Sequence, residues 1–472
     1  MKYFTIKELT KSSTAEAKGI DNTPTPEVEH NLTALVDNVL DGVRAIYGKP
    51  ITVNSGYRCP ELNKAVGGSV TSDHCFDEKT EILTTKGWRT YNNISKDDIL
   101  YTYNVDNDII EKKPINRIII REHDGDMIGF KNSSVDLLVT DEHRMLISYQ
   151  GHKYKRKGSR KISEKGALYF DSLKTDNDKF HFELAKDVLG KRRNFKCSSY
   201  KNGVNSDIRI MKICLAFICD GFYYGKAIGF RFKKERKINE LEYILNNIGW
   251  EYMKRVDKCG VTNFYLRKKY YDVILNIVGE NKNIPIDILE YNSELLKELL
   301  FYYCSYDGCF DKRNNNTGFS ICTTNKHNVD VLQAMACMCG VRSNILYYKE
   351  REYNIKGKTG IAKPYYILSS SLNTQSDLQS SGSFVEKYNG IVWCVSNNNE
   401  TVIVRRNGKV GIQGNCKGFA ADITGGSKEE NERLFNIIKH NFHFSQLIDE
   451  KNFSWVHVSY NPNNLKNQIL KL

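Results

Sequence analysis

Three groupings of residues in this sequence have the types and spacing that chemistry requires. The first lies at two junctions, Cys75 at one and Asn415-Cys416 at the other. A thiol attacks more readily than a hydroxyl because part of it ionises near neutral pH. Attack by Cys75 on the carbonyl of His74 converts an amide to a thioester, an asparagine can cut the bond that follows it, and Cys416 can accept an acyl group. The second grouping appears when residues 75–415 are removed: Thr71-Ser72-Asp73-His74 then runs directly into Cys416-Lys417-Gly418-Phe419-Ala420-Ala421-Asp422, with His457 further on. Two histidines and one aspartate, with a position left open for water, are a standard catalytic zinc set. The third is a pair of Asp-Gly steps, Asp220-Gly221 and Asp307-Gly308, each closing an apolar run. Two carboxylates near scissile phosphates can hold magnesium and support in-line attack by water.

The joined flanks read Ser-x-His-x-x-Gly-x-Ala-x-Asp, which resembles zinc peptidases of the D-alanyl-D-alanine carboxypeptidase type. Phe4 to Glu8, Ser12 to Ala15, Asn31-Leu32, Ser55-Gly56-Tyr57-Arg58, Leu62-Asn63, Gly67-Gly68 and Trp455-Val456-His457-Val458 extend the likeness over nearly all of both flanks. The resemblance implies zinc ligands at His74, Asp422 and His457. It also implies a peptidoglycan-type peptide as substrate, with its carboxylate held by Arg58, whose planar fork suits that group. Related enzymes often carry an acid three residues before the last histidine, where this chain has Ser454. Glu450, read here as lying in a surface loop, is the nearest substitute for a general base.

The insert between the junctions is similar to inteins. Cys75-Phe76-Asp77-Glu78 with Lys86-Gly87-Trp88 resembles their opening block, and Thr140-Asp141-Glu142-His143 matches their Thr-x-x-His block. The resemblance assigns Thr140 and His143 to the first acyl shift, where one donor stabilises the oxyanion and the other protonates the leaving nitrogen. Tyr388 to Val395, Val402 to Lys409 and Gly414-Asn415-Cys416 resemble the closing blocks, with Arg406-Asn407-Gly408 as a hairpin turn. Asn415 would cyclise, and a sulfur-to-nitrogen shift would leave a His74–Cys416 peptide; splicing itself needs no cofactor. Gly414 stands where many inteins carry a histidine and Cys394 where many carry an aspartate. Those two substitutions are expected to slow or reorder the steps rather than abolish them.

Ile213 to Gly221 and Leu300 to Gly308 resemble the paired LAGLIDADG helices of homing endonucleases. The likeness implies magnesium at Asp220 and Asp307 and double-stranded DNA as partner, read by a twisted ribbon in the major groove. Glycine is expected to cap each helix. Tyr302 and Tyr303 are bulky for helices that must approach closely. Lys234 and Lys326 are candidate transition-state cations, and Lys153, Lys155, Arg156, Lys157, Arg160 and Lys161 would extend the DNA footprint.

These residues need elements to position them. Helical spacing appears over 5–19 and 26–47, strand alternation over 51–53, 135–139 and 454–459, and strand then helix follows each Asp-Gly step. The fold class expected is multidomain: an α+β Hedgehog/DD-peptidase-like host split by a mainly-β Hint domain that carries an α/β LAGLIDADG endonuclease. The boundaries expected are 1–74 and 416–472 for the host halves, 75–205 and 376–415 for the Hint domain, and 206–375 for the nuclease. A chain of 472 residues is long enough for about three domains. The flanks hold fifteen Lys/Arg and fifteen Asp/Glu, so the whole formal charge of +13 lies in the insert. A basic insert between neutral flanks fits a polyanion partner. Thirteen cysteines without paired Cys-x-x-Cys spacing point to reduced thiols. No signal peptide or membrane span is read, so the expectation is a cytoplasmic monomer, phage-encoded or cellular, that needs help to reach a cell wall. Two alternatives stay open: an autocleaving Hint domain that does not ligate, and flanks that bind cell wall without catalysis.

Overall fold

The computed structural model describes every residue except 25, 60, 61, 63, 64, 66–74, 150–156, 163–167, 172–178, 312–317, 356–357, 416–419, 461–464, 466 and 472. Two compact units emerge, Met1–Asp73 with Cys416–Leu472, and His74–Asn415.

The first unit is built from both ends of the chain. Helices Ile6–Thr10 and Ser13–Lys18 start at Thr5 and Ser12, whose side chains accept from backbone N–H groups three residues on. Pro26–Leu35 continues through a π-turn, Val36–Leu40, into Asp41–Tyr47, and Gly48 ends it at φ 75°. The apolar stripe read from spacing is Leu32, Leu35, Val36, Val39, Leu40, Val43 and Ile46; the first six are buried in one core with Ile423, Leu434, Ile438, Leu447, Val456 and Val458 from the other end, whereas Ile46 is exposed. The five-stranded sheet runs Thr52–Ser55, Ala420–Thr424, Trp455–Ser459, Gln446–Glu450, Gln468–Lys471. Its first pair joins residues from opposite sides of the insert, Ser55 opposite Asp422. Tyr47 donates to Glu430 at 2.6 Å, and Lys49 pairs with the same carboxylate at 2.6 Å.

The second unit starts and ends in β-structure. A closed barrel contains Phe76–Asp77, Ser383–Ser396, Arg117–Lys131 and Asp136–Val139. An eleven-stranded sheet carries the hairpin Thr401–Arg406 and Lys409–Gly414, whose turn residues Asn407 and Gly408 take φ 48° and 76°. Two positive φ angles in succession are the signature of the tight hairpin turn that Asn-Gly favours. The same sheet continues through Arg342–Tyr348 into Tyr365–Ser371, Phe319–Thr323 and Gly308–Phe310. A separate four-stranded sheet, Gly221–Tyr223, Ile228–Phe232, Thr262–Leu266, Tyr252–Val256, follows the first Asp-Gly step.

The helices Arg209–Asp220 and Ser293–Asp307 each end on the aspartate. Their glycines cap the helices as expected, the Gly221 N–H donating to the Phe217 carbonyl and the Gly308 N–H to the Cys304 carbonyl, but without the left-handed backbone usual for a glycine cap. Gly221 lies at φ −84° and Gly308 at φ −129°, extended backbone that opens a strand. Space accounts for them instead: a Cβ on Gly221 would lie 2.1 Å from the Phe217 ring, and one on Gly308 would lie 2.5 Å from Cys304 Sγ. Tyr302 and Tyr303 are buried despite their bulk, and the Tyr302 hydroxyl donates to that of Tyr306 at 3.1 Å. Among the described residues, no helix is long and apolar enough to cross a membrane.

Candidate functional site

At the first junction the barrel strand Asp136–Val139 delivers Thr140 beside Cys75. The Cys75 N–H donates to Thr140 Oγ1 at 3.1 Å, and the Thr140 N–H donates to the Cys75 carbonyl at 3.1 Å. Thr140 therefore grips the nitrogen of the bond between His74 and Cys75. The tight turn back to His143, whose N–H donates to the Thr140 carbonyl at 3.0 Å, places the imidazole 4.4 Å from the Phe76 ring, centroid to centroid. Cys75, Thr140 and His143 are all buried. Two residues further on, burial pushes the Asp77 carboxyl up, opposed by Arg406, which reaches both its oxygens at 3.0 Å.

The last junction ends the strand Lys409–Gly414. Asn415 is buried, its N–H donates to the Glu400 carbonyl at 3.1 Å, and its carboxamide has no hydrogen-bond partner among the described residues. Gly414 packs on Arg144, the neighbour of His143, so both junction ends of this unit meet the 140–144 turn. Cys394 is buried beside Trp393, which pairs with Phe76. Spacing had offered no sign of Arg144 and Glu400, which lie 256 positions apart yet form a buried ion pair at 2.9 Å. His74 and Cys416 lie outside the described residues.

In the first unit, Asp422 and His457 face each other across paired strands, with His457 Nδ1 2.8 Å from Asp422 Oδ1. Both are partly exposed. Glu450 ends the strand Gln446–Glu450 rather than sitting in a loop, because that strand pairs with the one bearing His457. Burial pushes its carboxyl up; the charge of Asp422 adds to the shift and His457 opposes it. The three groups thus lie within electrostatic reach of one another. Arg58 is exposed, between two residues clamped by the buried Asn22, which donates to the Tyr57 carbonyl at 3.1 Å and accepts from the Cys59 N–H at 2.7 Å. Gly56 fits there because a Cβ would lie 2.3 Å from the Leu9 carbonyl oxygen. Among the described residues no three His, Cys, Asp or Glu side chains converge on a metal position. The nitrogen and oxygen donors of His457 and Asp422 fit zinc in type.

Asp220 and Asp307 stand at the ends of packed helices. Burial pushes Asp307 up, and the charge of Asp220 adds to it; the Cys219 thiol, hydrogen-bonded to Asp307, and the ammonium groups of Lys237 and Lys234 oppose. A carboxylate whose ionisation a neighbouring carboxylate opposes is what a divalent cation relieves, and the hard oxygens of the pair suit magnesium. Lys237, nearly buried, forms an ion pair with Asp220 and lies 4.9 Å from the Tyr306 ring centroid. Lys237 escaped the sequence reading, although it closes the lysine-rich run that begins at Lys233. Lys326 is paired with Asp330 at 2.5 Å. Lys153, Lys155 and Arg156 lie outside the described residues, while Lys157, Arg160 and Lys161 fall on a strand, Lys157–Ile162.

Residues 2–92 match the sequence model of the family described as Peptidase M15. The ribonucleoside-diphosphate reductase subunit beta of Aquifex aeolicus (strain VF5) is 27% identical over 392 residues, covering 76% of this chain and 53% of that protein. A DNA-directed RNA polymerase subunit beta C-terminal section from Stigeoclonium helveticum is 34% identical over 74 residues, 16% of this chain and 7% of that protein. The chain spans about half the length of the first relative and a small part of the second. Among solved structures, the AceL NrdHF class 3 split intein is 8% identical with a TM-score of 0.25, covering 73% of this chain and 100% of that one. The homing endonuclease I-DmoI in complex with DNA and Mn is 16% identical with a TM-score of 0.26, covering 35% of this chain and 92% of that one. At those TM-scores the likenesses carry no structural argument.

Proposed function

We propose that the chain is a self-splicing precursor: residues 75–415 excise themselves as an intein and ligate the flanks into a zinc peptidase. The observation that carries this reading is the double hydrogen bond between Thr140 and Cys75 at the first junction, with the buried carboxamide of Asn415, unpartnered among the described residues, at the other. Cys75 Sγ attacks the carbonyl carbon of His74, the bond to the Cys75 nitrogen breaks, and that nitrogen takes a proton with His143 as the donor at hand. Cys416 then accepts the acyl group, Asn415 cyclises, and the freed amine of Cys416 takes the acyl group back from sulfur.

The relatives support a mobile insert. The flanks hold 131 of 472 residues, so a match covering 76% of the chain takes in most of 75–415. The reductase named in that match shares no chemistry with a peptidase flank, as expected if the shared part is a self-contained insert.

In the ligated product, His74 would join Asp422 and His457 in holding zinc, which supplies Lewis-acid polarisation when bound. Glu450 would accept the proton of the attacking water, and Arg58 would hold a peptide carboxylate such as that of a peptidoglycan stem. In the insert, Asp220 and Asp307 would hold magnesium for cleavage of double-stranded DNA, with the basic excess of the insert on the phosphates.

Intact mass after expression of the full chain tests the splicing reading. A 131-residue ligated species, together with a released insert of 341 residues, is the expected outcome. Unligated fragments alone would favour the autocleaving alternative.

A further inference from the structure

Gly414 precedes the asparagine, and its surroundings explain why no side chain is there. A Cβ on Gly414 would lie 2.5 Å from the Arg144 carbonyl oxygen, 2.7 Å from Arg144 Cβ and 3.1 Å from the Phe182 ring. The Arg144 guanidinium fills this region, 4.0 Å from the Phe182 ring centroid and 2.9 Å from Glu400 Oε2, with both partners of the ion pair buried. Glu400 also receives the Asn415 N–H on its backbone carbonyl at 3.1 Å. The backbone of Glu400 is left-handed, φ 54°. Glycine or asparagine would hold that turn at lower cost. A glutamate kept at such a position, with its carboxylate buried on an arginine, points to a use for the carboxylate.

We infer that the Arg144–Glu400 ion pair is the positioning device for release at Asn415, standing in for the side chain that position 414 lacks. The inference rests on the splicing reading. Release forms a bond from Asn415 Nδ2 to its own carbonyl carbon and breaks the bond from that carbon to the nitrogen of Cys416. The proton lost by Nδ2 ends on that departing nitrogen, so the insert finishes as a succinimide and no oxidant or reductant is involved. Arg144 stays charged throughout. Its part is to fix the Glu400 turn, which holds the Asn415 backbone still while the carboxamide, otherwise unpartnered among the described residues, turns back on its own carbonyl.

The test uses the full chain with Glu400→Gln, Arg144→Gln and Arg144→Lys beside wild type. Two rates are followed by intact mass: thiol-induced release of residues 1–74, and scission after Asn415. Glu400→Gln and Arg144→Gln are expected to slow scission after Asn415 by about tenfold or more, with thiol release changed by no more than about threefold. Arg144→Lys is expected to recover part of the loss. Thiol release also reports that the first junction is assembled, so it serves as the folding check. Unchanged scission, or equal slowing of both junctions in all three variants, would overturn the inference. Failure of the splicing reading looks different: wild type itself would then yield neither ligated flanks nor a succinimide-ended insert.

Discussion

Thr140 touches both polar groups of the Cys75 backbone, which makes its hydroxyl the most informative single atom at the first junction. Replacing it with valine keeps the shape and leaves a buried N–H unsatisfied, at a cost of about 1–3 kcal/mol. Thr140→Val is therefore expected to slow thiol-induced release of residues 1–74 by about tenfold or more while scission after Asn415 continues, as followed by intact mass. Lys237 poses a different question at the same scale. Its ammonium neutralises Asp220 next to a second carboxylate whose acidity Asp220 already weakens. Lys237→Met removes that cation without removing its bulk, so the two carboxylates repel more strongly and bind a divalent ion more tightly. Without magnesium the variant is expected to lose about 1–3 kcal/mol of stability, and magnesium is expected to raise its Tm more than that of wild type. Equal response of both proteins to magnesium in a thermal melt would count against the paired-carboxylate site.

Elements show which parts of this arrangement a sequence can disclose. Periodicity located the Leu32–Val43 stripe, Arg-Asn-Gly located the hairpin turn, and the two Asp-Gly steps located the helix ends, because each is encoded within a few residues. The reason for glycine at those steps was not local. Gly221 and Gly308 take extended backbone open to any residue, so their requirement comes from the Phe217 ring and from Cys304 Sγ. Gly221→Ala is accordingly expected to cost about 1–3 kcal/mol in a urea melt through overpacking rather than through backbone strain. A cost near zero would mean that Phe217 shifts freely. Ion pairs were invisible for the same reason of separation. Arg405, buried in the hairpin, holds Glu81 through two bonds of 2.6 Å and Asp330 at 2.6 Å, so it ties the strand Thr401–Arg406, the hairpin partner of the one that ends at Gly414, to the helix Lys326–Met338. Its neighbour Arg406 faces the other way, to Asp77 and Asp136, as alternation along a strand dictates. Nothing within a few residues of Arg405 announces a partner 324 positions away.

At the scale of the whole chain, the first unit already shares one core and one sheet between residues that the insert separates. Ser55 lies opposite Asp422, Asp422 lies opposite His457, and Glu450 is within electrostatic reach of both. On the splicing reading proposed above, excision would have little folding left to drive in the flanks; what it would add is the covalent join that places His74 directly before Cys416. If His74 is the third zinc ligand, a precursor locked by Cys75→Ala and Asn415→Ala retains the Asp422–His457 pair while His74 remains bonded to the insert. Such a precursor is expected to bind zinc about tenfold or more weakly than the ligated product, and to hydrolyse a D-alanyl-D-alanine peptide correspondingly more slowly. Zinc content after dialysis and hydrolysis rate, taken on both proteins at equal concentration, decide the matter. Equal zinc and equal rates would mean that the insert leaves the peptidase site assembled, and that excision and activation are separate events.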